Sequence, residues 1–162
     1  MSLPLDGLLV VSLEQAVAAP LCARNLADAG ARVIKIERPE GDFAREYDHL
    51  VHGECSYFVW LNRSKESLTL DLKRPDGRTV LDRLCERADV FVQNLAPGAA
   101  TRLGTAADDL RARYPRLIVC NVSGYGTSGP YAGKKAYHAA FGTGMRARTL
   151  FVLAHGEVVR DV

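Results

Sequence analysis

The 162-residue chain is 48% hydrophobic and 25% charged with a formal net charge of +2, enough apolar material for one ordinary core and no excess of charge to seek a polyanion. Its arginines are spread and no apolar run approaches the roughly 20 residues that cross a bilayer, so neither nucleic acid nor membrane is expected as a partner. The "MSLPLDG" start lacks the charged and apolar regions of a signal peptide, which makes the cytoplasm the expected address.

The elements alternate along the chain. Residues 8–13 form a short apolar run opened by Asp6 and Gly7, and predict a buried strand. "AAPLCARNLADAG" follows with Pro20 in a first helical turn, apolar positions at helical spacing and Gly30 as a stop. "ARVIKIE" returns to strand. Residues 67–73, "SLTLDLK", predict a third strand, "PDGRTVLDRLCERA" a helix opened by Pro75, and "DVFVQN" a fourth strand. "PGAATRLG" and "AADDLRARYP" predict short helices, and "RLIVCNVSG" a last strand. Repeated strand, helix, strand units with short connections predict an α/β fold, an open parallel Rossmann-like sheet with helices on both faces. After it, "TLFVLA" and "EVVRDV" flank "HG" and predict a β-hairpin.

In such sheets ligands sit beyond the carboxyl ends of the strands, here residues 14–17, Glu37 and Arg38, Lys73, Asn94, and Ser123 with Gly124. A dinucleotide site is disfavoured. The turn "EQAVAAP" carries no glycine, so a pyrophosphate could not approach the helix behind it closely. The stretch "NVSGYGTSGPYAGKKAYHAA" has the glycines and lysines of an anion-wrapping loop but neither phosphate-loop pattern. Cys22, Cys55, Cys85 and Cys120 are far apart without a CxxC pair and are expected as small buried hydrophobes. His49, His52 and Cys55 recur every third residue in "HLVHGEC"; without a fourth ligand nearby, no metal site is assigned.

Taken together, "PLDGLLVVSLEQAVAAPLCARNLADAGARVIKIERPEGD", "YFVWLNRSKESLTLDLKRPDGR", "ADVFVQNLAPGAATRLG" and "PRLIVCNVSGYGTSGPYAGKKAY" resemble, in order and spacing, the family III CoA-transferases, the CaiB/BaiF type that includes formyl-CoA, carnitine and bile-acid CoA-transferases. The resemblance implies the N-terminal half of that family's large domain for residues 1–138 and leaves 139–162 as a divergent tail. It implies transfer of CoA between an acyl-CoA thioester and a carboxylic acid, with CoA or acyl-CoA as substrate and no permanently bound cofactor. The matching CoA-binding positions are Val17, Ala18, Arg38, Leu70, Asp71, Leu72, Lys73, Asn94, Leu95, Ala96, Arg102, Lys135, Ala136, Tyr137 and His138. Among these the cations Arg38, Lys73, Arg102 and Lys135 suit the 3′-phosphate and diphosphate of CoA.

Departures from the family pattern bear on chemistry. Val17 stands where formyl-CoA transferases have glutamine, so a formyl or oxalyl substrate is not implied. Tyr137 and His138 stand where many members read Tyr-Asp and where the related 2-methylacyl-CoA racemases place a His-Asp pair one position earlier. The family's catalytic aspartate lies beyond the matched tyrosine; Asp161 falls near that distance but lacks the glycine-containing surroundings, so the catalytic residue is left unassigned with Asp161 as its only candidate. Ending at Val162, the chain is expected to be truncated and to turn over little CoA alone, the alternatives being a CoA-binding remnant or a racemase-like enzyme. Family dimers are interlocked rings, an arrangement that a chain of this length is not expected to inherit.

Overall fold

Short β-branched and apolar runs build this sheet, three of them in its middle and the fourth at one edge. In the computed structural model, which describes residues 2–134, they are β1 (Leu9–Leu13), β2 (Arg32–Glu37) and β4 (Val90–Gln93) in the middle and β5 (Ile118–Asn121) at one edge, with β3 (Lys65–Thr69) at the other. All pairings are parallel in the order β3-β2-β1-β4-β5. Val10 stands beside Val33 on one side and Val90 on the other, which fixes the register across the centre.

Helices cover both faces, as the alternation predicts. On one face Val11, Leu13, Ile34, Ile36, Phe91 and Val119 pack against α3 (Pro75–Cys85) and α5 (Ala107–Arg113) through Leu81, Cys85 and Leu110. On the other, Val10, Val33, Val92 and Cys120 meet α1 (Ala18–Asp28) through Ala19, Ala23 and Ala27, four residues apart and so on one stripe. Alanine there lets the helix backbone lie close to the strands. The chain leaves α1 through Gly30 at φ +107°, where a Cβ would meet the Leu3 Cβ at 2.6 Å and Asp6 Oδ1 at 2.7 Å, so only glycine fits this turn.

Two local elements differ from the sequence expectation. The third strand occupies Lys65–Thr69, starting two residues before the predicted 67–73 and ending four residues short of Lys73; Asp71 instead caps a turn by accepting the Lys73 N–H, and Arg74 is extended ahead of Pro75. Leu68, Leu70 and Leu72 all pack against the α3 face, so the apolar alternation outlasts the strand. Residues 43–62 also contain a short 3-10 turn (Phe43–Glu46) and α2 (Ser56–Asn62). The fifth helix, α4, is a single turn at Ala99–Leu103, framed by left-handed Gly98 and Gly104. The predicted hairpin lies outside the described residues.

Candidate functional site at the carboxyl edge of the sheet

The strand order reverses direction between β1 and β4, the switch point at which open α/β sheets hold ligands in a crevice beyond the carboxyl ends of the strands. Two elements line it. After β1 the chain turns sharply through Ala16, at φ +63°, into Val17, the N-cap of α1, which supplies no side-chain acceptor to the first-turn N–H groups. After β4 stands Asn94. Its Oδ1 accepts the Gln15 N–H at 2.8 Å and its Nδ2 donates to the Gln15 carbonyl at 2.8 Å, a reciprocal pair that joins the two turns.

Behind the turn lies a buried ionic cluster that sequence reading did not find. Ser12, and Glu14 just past the end of β1, follow Val10 at a period of two and so share its α1 face, and Lys35 and Glu37 follow Val33 in the same way on β2; all four are buried. Lys65 Nζ donates to Glu14 Oε1 at 2.5 Å, to the Pro20 carbonyl at 2.9 Å and to Asn62 Oδ1 at 3.2 Å. Lys35 Nζ donates to Asp42 Oδ2 at 2.8 Å and Asn62 Oδ1 at 2.9 Å, with Glu14 Oε1 at 3.9 Å. Two carboxylates thus face two ammonium groups in a dry site. Burial pushes the Lys65 ammonium down from its ordinary value against the opposing pull of Glu14. Ser12 Oγ and Glu14 Oε2 are buried without a hydrogen-bond partner among the described residues. Beside the cluster, burial acts to raise the Glu37 carboxyl, but hydrogen bonds from Arg45 and Ser67 outweigh it and hold the group below its usual range. The Arg45 guanidinium in turn lies 3.7 Å from the centre of the Phe58 ring.

The sequence-derived positions differ in exposure and in what holds them. Val17 and Ala18 open α1. Arg38 follows β2 with its side chain half exposed; Nε donates to the Gly41 carbonyl at 2.9 Å. Leu70 donates its N–H to the Glu37 carbonyl at 2.8 Å, so the chain just past β3 stays tied to the end of β2. Leu72 is buried in the α3-side core, and its carbonyl accepts from Arg78 Nε, which leaves backbone rather than side chain at the surface. Lys73 is exposed. Leu95 packs on the core, while Ala96 is exposed and accepts the Ala99 N–H. Arg102 is exposed in the last turn of α4, and its Nη1 comes within 3.1 Å of where a Cβ on Gly98 would stand. Lys135, Ala136, Tyr137, His138 and Asp161 lie outside the described residues. Asn94 differs from the cations in kind: its amide holds Gln15.

The glycine-rich segment after β5 begins as a turn in which Ser123 Oγ accepts the Gly126 N–H, with Gly126 and Gly129 left-handed. Cys55, Cys85 and Cys120 are buried and Cys22 partly so. A hydrogen bond from Cys120 lowers the Cys22 thiol against the effect of burial, and burial pushes Cys85 up to about 12. Cys55 Sγ donates to Asp48 Oδ2, and His49 Nδ1 is 3.3 Å from the Gly53 carbonyl. Among the described residues no group of three or more His, Cys, Asp or Glu is placed to hold a metal, and no helix is long and apolar enough to cross a membrane.

Residues 5–157 match CoA-transferase family III, and the chain belongs to that family. The matched span extends beyond His138. Succinyl-CoA:glutarate CoA-transferase of Mus musculus is 37% identical over 138 residues, 84% of this chain and 32% of that protein. Acetyl-CoA:oxalate CoA-transferase of Acetobacter aceti is 42% identical over 135 residues, 83% of this chain and 35% of that protein. Among solved structures, Rv3272 of Mycobacterium tuberculosis superposes with a TM-score of 0.79 at 36% identity, covering 90% of this chain and 43% of its own. A CaiB/BaiF family protein of Brucella suis does so with 0.78 at 39% identity, covering 85% and 38%. The chain therefore spans about a third of the length of the curated relatives it matches.

Proposed function

We propose that the carboxyl edge of this sheet binds an acyl-CoA and that the protein moves CoA between an acyl-CoA thioester and a carboxylic acid. The observation that carries the reading is the switch point between β1 and β4, and exposed cations that come after the strands in the chain, Arg38 after β2, Lys73 after β3 and Arg102 after β4, support it. CoA has a 3′-phosphate and a diphosphate, and guanidinium groups suit phosphate oxygens because their fork of N–H donors matches the oxygen spacing. The uncapped first turn of α1 adds backbone donors on the same edge. The relatives' names speak for thioesters and carboxylic acids as the substrate pair.

In a transfer of this class a carboxylate attacks the thioester carbonyl, the C–S bond breaks, and CoA leaves as a thiolate while the acyl group is held as a mixed anhydride. The thiolate then attacks the enzyme carboxylate's own carbonyl in the anhydride, which releases the donor acid and leaves CoA as a thioester on the enzyme. The accepting acid's carboxylate attacks that thioester and expels the thiolate, and the thiolate cleaves this second anhydride at the acceptor carbonyl to give the new acyl-CoA and the free enzyme carboxylate, with no change of oxidation state. The residues described here act in the first requirement, holding CoA so that its thioester end is presented in one place. Asp161 is the carboxylate that the sequence offers for the attack.

Calorimetric titration with CoA tests the reading. Binding should weaken as salt is raised, because exposed charge contacts are screened. The Arg38→Ala, Arg102→Ala double variant should bind roughly tenfold to a hundredfold more weakly, the scale of two solvent-exposed charge-assisted contacts. Unchanged affinity removes both residues from the site. Exchange of labelled CoA between succinyl-CoA and a panel of dicarboxylic acids, with Asp161→Asn beside the parent, tests the transfer itself.

A further inference from the structure

We infer that Asp42 is a positioning residue for the CoA site: it holds the turn after β1 in the left-handed conformation that sets where α1 begins. The inference rests on the proposed CoA reading of this edge. Ala16 has φ +63°, a conformation that an alanine leaves readily unless its neighbours over-determine it. Asp42 supplies the determination at that residue, since its Oδ1 accepts the Ala16 N–H at 3.1 Å. Gln15, one position earlier, is fixed independently by Asn94.

Asp42 is itself held from every side. Its Oδ1 also accepts the Ala44 N–H at 3.0 Å, its Oδ2 accepts from Lys35 Nζ at 2.8 Å, and its own N–H donates to Glu37 Oε2 at 3.2 Å. The residue is 3% exposed, so it cannot touch a ligand and acts only through the turn. Lys35 stands on β2 and anchors the carboxylate to the sheet, which makes the position of Ala16 a property of the core. If the bond to Asp42 is lost, Ala16 can relax to negative φ, the peptide planes on either side of it rotate, and Val17 and Ala18 leave the crevice.

A purely structural role for Asp42 predicts lost stability alone. The positioning role predicts lost CoA affinity that a change at residue 16 restores. Titration of the full chain with CoA should give a dissociation constant roughly tenfold higher for Asp42→Ala, the scale of a misplaced binding element. Asp42→Asn keeps an acceptor for the Ala16 N–H and should recover most of the affinity. In the Asp42→Ala background, Ala16→Gly should recover affinity too, because glycine adopts the turn without help. Should the buried Lys35 ammonium unfold Asp42→Ala, adding Lys35→Met removes that charge and the same comparison is made. Amide exchange gives a second reading: the Ala16 N–H of the parent should be protected, and an unprotected one overturns the inference. A folded Asp42→Ala with unchanged CoA affinity, or a weakened one that Ala16→Gly leaves weak, overturns it as well while the CoA site stands. Failure of the parent chain to bind CoA overturns both.

Discussion

Replacing Lys65 by Met removes one of the two ammonium groups buried behind the β1 turn, and the cost follows from what is left. Its Nζ gives all three of its N–H donors to Glu14, Pro20 and Asn62, and the Lys65 and Glu14 side chains are 2% and 0% exposed. Among the described residues, after the substitution Glu14 keeps only Lys35, at 3.9 Å, as a facing cation, and its Oε2 already has no hydrogen-bond partner. Breaking a buried pair from one side costs about 4 kcal/mol, because a charge is left without compensation. For a chain of this size that is about 12 °C in Tm. Urea and thermal melts followed by circular dichroism read the loss, provided the m-value is unchanged. Removing both partners, Glu14→Leu with Lys65→Met, should restore most of the stability, since an apolar replacement leaves no unpaired charge. A Lys65→Met loss below about 1 kcal/mol would refute the reasoning by showing that solvent reaches the pair. A double variant as unstable as the single one would assign the loss to packing.

Two further outcomes are expected. Gly77→Ala places a Cβ 2.3 Å from the Asp71 carbonyl oxygen and 2.9 Å from its carbon, so the Asp71–Lys73 turn must move; stability should fall by about 2 kcal/mol in urea melts, as for an overpacked site, and unaltered melts would show that the turn gives way freely. The Asp48 carboxyl is held down at about 2 by hydrogen bonds, first from the Ser56 N–H, then from the Ser56 hydroxyl and the Leu50 N–H. A depressed folded-state value stabilises the fold above pH 3.8 and ceases to do so as pH falls to about 2, so Asp48→Asn should flatten the decline of Tm across that window; parallel Tm profiles for parent and variant would count against it.

The sheet was legible because its central strands are bounded apolar runs, and a parallel sheet covered on both faces demands such runs. The error at β3 has the same origin. Leu68, Leu70 and Leu72 keep a period of two past the end of the strand, because the chain goes on touching the α3-side core while it turns toward Pro75. At its start, Lys65 looks like loop sequence and is a strand residue whose side chain is buried. α2 carries aromatic and β-branched residues with no side-chain cap from Cys55, and so lacks the sequence marks of a helix start. The strand ends that form the carboxyl edge could be anticipated from the bounded apolar runs. The ionic cluster could not. Lys35 in "RVIKIE" has the spacing of a solvent-facing strand residue, and its neutralising partners come from elsewhere, with Lys65 51 residues from Glu14 in sequence. Asn94 was recognisable by position, but that its amide is occupied by Gln15 emerges only when two segments 79 residues apart meet.

The place of β1 in the sheet governs the order in which the chain can fold during synthesis. It is the first strand among the described residues and stands in the middle of the sheet. β2 reaches it soon after α1 has been made, but the neighbour on its other side is β4, whose approach is marked by Leu9 donating to Asp89, 80 residues away. Closing so long a loop is slow, and contacts of this separation dominate the folding rate. Until β4 leaves the ribosome, one edge of Leu9–Leu13 offers unpaired backbone groups to any other extended chain, and this is the interval in which a nascent copy is most open to pairing with the wrong partner.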